Sequence, residues 1–173
     1  MFTRSAVAPG ARPYWNPFQF AGTPHLADPQ TLVFYPPAWL LRWLPELAFL
    51  RWFGLIHVWI GGAGTLLLGR ILGLGWVAAT AAAITVMLGG SVGPWLPSGH
   101  LLQLSSAAWL PWGIALAIVS ARRQTVWPHP LLVVVVAMQF LAGSPQSTIY
   151  TVAAVSLYLV FAAVWSDDAH ARA

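Results

Sequence analysis

The sequence predicts an all-α, polytopic integral membrane protein: about five transmembrane helices, preceded by an external loop with short interfacial helices. Three observations lead there. Of 173 residues, 58% are hydrophobic and only 7% charged, whereas soluble domains carry roughly 25% charged residues. A water-soluble fold cannot clothe its surface with so few charges, so lipid is the solvent for most of the chain. Apolar runs close to span length recur from Trp52 onward with short connections between them. The eight basic residues are all arginines, scattered in a way that sets topology and too sparse for a nucleic-acid surface.

Three regions follow: an external loop with interfacial helices over 1–51, a transmembrane bundle over 52–165, and a cytoplasmic polar tail over 166–173. The first residues, MFTRSAVAPGARPYW, lack an apolar core of signal-peptide length. A polar loop ahead of the first span points to a further helix upstream of Met1. Residues 14–37, YWNPFQFAGTPHLADPQTLVFYPP, are neither span nor charged tail. Over 39–49, Pro45 removes an amide hydrogen and clashes with the preceding turn, so one or two short helices on the membrane surface are expected, anchored by Trp39, Trp43 and Trp52. Pro45 also weakens the i,i+4 pairing of Arg42 with Glu46.

The spans are expected at 52–69, 71–92, 101–120, 131–141 and 147–165. Glycines 61, 62, 64, 69 and 73 read as close-packing positions between helices. Alternation of sides puts Arg70, Arg122, Arg123 and Arg172 on one face of the membrane. Loops 89–100 and 143–147 then share the other face with 14–37. The arginine bias makes the first face cytoplasmic, although Arg42 and Arg51 sit at the external interface.

The candidate chemistry lies in the external loops. Asp28 is one of four acidic residues; it can serve as a base towards a hydroxyl, ligate a cation, or cap a short helix with Pro29 at its first position. Asn16, His25 and Gln30 share that loop, and His25 suits an anionic phosphate or the end of a turn. His100 and Gln103, three apart, share a helical face at the mouth of a span, with Ser98 or Gly99 as cap. Gln146 and Tyr150 open the last helix after Gly143 and Pro145. Helix starts favour anions, so these loops read as a phosphate head-group site, although capping accounts for each loop alone. His57 lies within a span, where an ionisable group is a functional candidate, with a hydrogen bond to a neighbouring helix as the structural reading. No cysteine is present, which excludes disulfides and thiolate metal sites, and no metal or other cofactor is expected. Nucleotide-loop, HExxH and GxSxG motifs are absent.

The run WNPFQFAGTPHLADPQTLVFYPP, then HVWIGGAGTLLLGRILGLG, GHLLQLSSAAWLPW and LAGSPQSTIY, resembles the bacterial YfhO-like membrane protein family from about Tyr14 to Trp165. Members look like GT-C-type glycosyltransferases. The resemblance implies a polyprenyl-phosphate-linked sugar donor, a cell-envelope acceptor, and an inner-membrane location with the motif loops outside. It also implies that this chain is an amino-proximal fragment. The family's first helix and its acidic base are expected upstream of Met1, and Asp28 stands where the family pattern often has Asn or another polar residue. Among the residues present, Asp28 is the candidate catalytic carboxylate, with Asn16, His25, Gln30, His100, Gln103 and Gln146 as candidates for contacting donor phosphate or sugar. The competing reading is a non-enzymatic transport or lipid-binding subunit, in which only His57 and Gln139 are polar enough to mark a site within the membrane.

Overall fold

The structure, a computed structural model, describes residues 14–16, 21–89, 100–123 and 128–170, without the side chains of 123, 128 and 165–170. Proline punctuates it. A two-residue antiparallel pair, β1 (Trp15–Asn16) and β2 (Thr23–Pro24), leads to a 3-10 turn at Pro29–Thr31. Helix α1 (Pro36–Leu41) opens on a proline, and Pro45 caps α2 (Glu46–Ile71). After α3 (Trp76–Leu88) come α4 (Leu101–Ala107) and α5 (Leu110–Arg123). Prolines again begin α6 (Pro128–Leu141) and α7 (Pro145–His170). Proline suits a first helical position because its missing N–H has no partner there in any case.

Three helices are long and apolar enough to cross a membrane: Glu46–Ile71, the nearly continuous Leu101–Arg122, and Pro145–Val164. At 1.5 Å per residue they run about 39, 33 and 30 Å, against a hydrocarbon core of about 30 Å. Trp76–Leu88 and His129–Leu141 are apolar but shorter, at about 20 Å. Pro111 explains the interruption between α4 and α5, since it has no N–H for the carbonyl one turn back. Pro45 interrupts the run over 39–49, as expected. The chain is nevertheless already helical from Glu46, so the run expected to begin at Trp52 starts inside a longer helix. Arg42 does not pair with Glu46 across this break; its guanidinium stacks on Trp43 instead.

Lipid tails are as apolar as leucine, so helices in a bilayer associate through close packing and hydrogen bonds rather than hydrophobic burial. The small residues do this here. Helix α5 touches α2, α6 and α7, with Ala115 and Ala117 fully buried. Gly61 lies against Ala108, Gly62 against Met87, Gly64 against Trp112, and Gly69 against Ala79. Gly73 is the exception among the glycines expected to pack. It has φ +90° with open space around it, and it ends α2 in a Schellman turn. Leu74 N–H donates to Gly69 O and Gly73 N–H to Arg70 O, the paired bonds that close a helix through a left-handed residue.

The bundle has two distinct ends. At one, Arg122 donates to the Ile71 carbonyl at 2.7 Å, so α2 and α5 finish together. Ser120 Oγ and His129 Nε2, 2.6 Å apart, join α5 to the start of α6 nearby. At the other, Gly143 lies against Leu102 and against the backbone of Pro29 and Gln30. A hydrophobic cluster of Tyr35, Ala38, Phe53 and Ala142, with Leu101 and Met138 against it, fills this loop end. Helices α2, α4–α5 and α7 therefore run the same way, with α3 and α6 as returns. Arg172 and residues 90–99 lie outside the described residues.

Candidate functional site

The loop face is built from its caps upward. Asp28 adopts extended backbone, and Oδ1 accepts the Gln30 N–H at 2.9 Å, with Pro29 at the first helical position. The capping geometry suggested by Asp-Pro is realised. Thr31 Oγ1 donates back to Asp28 O at 2.7 Å, and Leu32, at φ 57°, closes the turn. Trp39 Nε1 donates to Val33 O and pins the turn at Val33–Phe34 against α1. Behind it, His25 N–H donates to Tyr14 O at 2.9 Å, and Asn16 pairs with Thr23 across β1–β2.

Gly143 is where the Pro29–Gln30 turn and the first turn of α4 meet. It has φ +96°, and an added Cβ would stand 3.0 Å from Leu102 and 3.3 Å from both Gln30 Cα and Pro29 O. Only glycine gives both the conformation and the clearance. The contact draws residues 29–30, the first turn of α4, and the start of α7 onto one end of the bundle. Beside it lies a cavity of about 100 Å³ between 26–34 and Phe140–Leu141, in which Asp28 is the one charged lining residue. That volume admits a few waters or the hydroxyl end of an acceptor, not a whole sugar.

The candidate residues divide into two groups. Asn16 and His25 are buried. Desolvation holds the His25 imidazole below the usual histidine range, and the Asp28 carboxylate partly offsets that. Gln30, His100, Gln103 and Gln146 are exposed. His100 occupies the N-cap of α4 without a side-chain capping bond, while Ser98 and Gly99, expected there, lie outside the described residues. Gln146 donates to the Tyr150 hydroxyl at 2.7 Å. The fold thus buries Asn16 and His25 and leaves Gln30, His100, Gln103 and Gln146 exposed.

Two buried networks escaped the sequence reading. In the first, the Tyr35 hydroxyl lies 2.6 Å from His57 Nε2, His57 Nδ1 lies 2.6 Å from Phe53 O, and Trp109 Nε1 donates to Tyr35 Oη at 2.9 Å. The carbonyl partner assigns the proton to Nδ1, so Nε2 accepts from Tyr35. His57 therefore has both nitrogens engaged, although its partners are the Tyr35 hydroxyl ahead of α1 and a carbonyl of its own helix rather than a neighbouring helix. In the second, Ser105 and Ser106 donate to the carbonyls of Ala142 and Gln139 at 3.0 and 2.9 Å, and Ser144 N–H returns to Ser106 Oγ at 3.1 Å. Gln139 Nε2 donates to Thr151 Oγ1 and Ser147 O. Turning the amide over would set oxygen against that carbonyl, so its orientation is fixed by the acceptors. Oε1 is buried and has no partner among the described residues. A histidine or glutamine inside an apolar run was the available signal; the partners Tyr35, Trp109 and Thr151 carry none.

Among the described residues, no group of three or more histidine or acidic side chains is placed to hold a metal ion. Comparison with family models, curated proteins and solved structures finds no match to this chain, so the family resemblance rests on its motifs alone.

Proposed function

We propose that the chain forms the loop-bearing membrane part of a glycosyltransferase that takes sugar from a polyprenyl-phosphate donor on the outer face of a bacterial inner membrane. In this reading the chain makes about five spans, with the loop end outside and the Arg70–Arg122 end in the cytoplasm. The observation that carries it is the junction at Gly143. The Pro29–Gln30 turn and the first turn of α4 meet the start of α7 there at the end of an apolar bundle, beside a small cavity lined by one carboxylate. Asp28 is suited to take the proton of an acceptor hydroxyl, whose oxygen then attacks the anomeric carbon as the bond to the phosphate oxygen breaks. Such a base acts within hydrogen-bond reach of its proton. Charge on the departing phosphate calls for N–H donors nearby, and His100, Gln103 and Gln146 are the exposed side chains available, with His25 behind them.

The test is transfer of labelled sugar from polyprenyl-phosphate donors in membranes holding the chain, alone and with its reading frame extended at both ends. Asp28→Asn is expected to lower transfer at least a hundredfold, and His100→Ala to weaken donor binding. Transfer that survives Asp28→Asn assigns the base elsewhere. Absence of transfer in every form, across several sugars, moves the assignment to the transport or lipid-binding reading. One observation favours that second reading: the unpaired Gln139 oxygen between α6 and α7. A function that depends on Gln139 but not on Asp28 would select it.

A further inference from the structure

The opposite end of the bundle carries a feature that sugar transfer does not use. The last carbonyls of α2 have no helical partners of their own, and the Schellman turn satisfies only part of that need. Arg122 NH1 takes the Ile71 carbonyl at 2.7 Å, and Arg70 NH1 takes Leu74 O at 2.7 Å. Two guanidinium groups from different helices are thereby tethered to one turn. Arg70 also lies over the Trp76 ring, 4.3 Å from its centroid, and that indole is 66% exposed.

Capping alone leaves this arrangement electrically unfinished. A helix C-terminus carries roughly half a negative charge, and α2 and α5 both end here, so two arginines leave a local excess of about +1. The described carboxylates cannot supply the difference: Asp28 caps its own turn and Glu46 lies at the far end of α2. Each guanidinium has five N–H donors and spends only its NH1 group on the backbone, so further donors are free on exposed side chains. Because two span-length helices end here, these donors sit at the depth of lipid headgroups, with an exposed tryptophan of the kind that settles there.

We propose that Arg70, Arg122 and Trp76 form a site for the phosphate of an anionic lipid headgroup. The guanidinium fork matches phosphate oxygens in a bidentate way, and the backbone tethers hold both forks in place before the lipid arrives. The partner is an anionic phospholipid; the same phosphate chemistry in a soluble anion is separated from it by experiment.

The experiment is native mass spectrometry of the purified chain titrated with dioleoylphosphatidylglycerol, against dioleoylphosphatidylcholine. Preferential retention of the anionic lipid is expected. It should fall about fivefold for Arg70→Gln or Arg122→Gln and about 25-fold for both, while Arg122→Lys keeps most of it, because the charge is retained. Thermal melting in phosphatidylcholine micelles separates loss of the site from loss of the fold. Should the double variant not fold, Arg70→Lys/Arg122→Lys replaces it, with a smaller but measurable loss expected from the missing bidentate geometry. Equal retention of the two lipids, or an unchanged preference in a folded double variant, overturns the proposal. Stabilisation by glycerol 3-phosphate matching that by the lipid overturns the lipid assignment and makes the ligand a soluble phosphate.

Discussion

At the Tyr35–His57–Trp109 junction every donor has an acceptor, whereas the Gln139 junction a few helices away leaves one buried oxygen over. The two do similar mechanical work. The first ties the loop onto α2 and the break between α4 and α5; the second ties the ends of α6 and α7 onto α4. They differ in redundancy. Tyr35 Oη is donor to one neighbour and acceptor from another, so its loss orphans two groups at once. Around Gln139 the backbone carbonyls already have serine donors, and Thr151 Oγ1 has its own bond to Ser147 O. Removing the amide therefore strands little. A closed network specifies one arrangement and fails sharply; a redundant one tolerates change.

Tyr35→Phe is the largest test of that distinction. It leaves His57 Nε2 and Trp109 Nε1 unsatisfied in a dry site, and is expected to cost about 2–4 kcal/mol, read by thermal or denaturant unfolding in detergent. Gly143→Ala comes next, at about 2 kcal/mol, because alanine resists a positive φ and its Cβ meets Leu102 and the Pro29–Gln30 backbone. The same variant should loosen the loop face, visible as faster amide exchange over residues 28–32. Titration gives a graded version of both. Burial pushes the Tyr35 hydroxyl above its usual range, with the Trp109 N–H partly opposing, so stability present below about pH 10 is lost as pH rises beyond the unfolded tyrosine value. For His25, held low by burial, the sign reverses: stability is intact above about pH 6.5 and declines as pH falls towards the folded value, because the unfolded state takes up the proton first. Tyr35→Phe should abolish the alkaline arm and leave the acid one. Gln139→Met is the smallest effect. It trades two weak bonds for relief of an unpaired oxygen, and a change within about 1 kcal/mol is expected. A loss as large as that of Tyr35→Phe would erase the contrast between the junctions.

What the sequence made legible is whatever one residue type dictates locally. Pro45 and Pro145 mark breaks in the chain, Asp28-Pro29 marks a capped turn, and Arg70 and Arg122 mark one end of the bundle. Helicity and span-length apolar runs follow from composition and periodicity. The partners were hidden because they are ordinary in sequence. Trp109 reads as one more interfacial aromatic, and Tyr35 as one more loop residue, until the fold brings positions 22 and 74 residues apart within hydrogen-bond distance. Gly73 shows the converse: its spacing from Gly69 suits packing, but a left-handed turn claimed it. For the candidate site, the order of the loops leads to the expectation that residues 14–37 and 143–147 share an end, and Pro29, Gln30 and Gly143 do meet. The small cavity beside Asp28 and the exposure of His100, Gln103 and Gln146 depended on how residues 26–34 fold over α6, which no local pattern encodes.

The close approach at Gly143 has a mechanical consequence. Helix α7 begins two residues beyond it, so the loop contact grips that helix at its base, like a lever held at the fulcrum. Over 26 residues, or about 39 Å, a tilt of about 5° at the base sweeps the far end through roughly 3 Å.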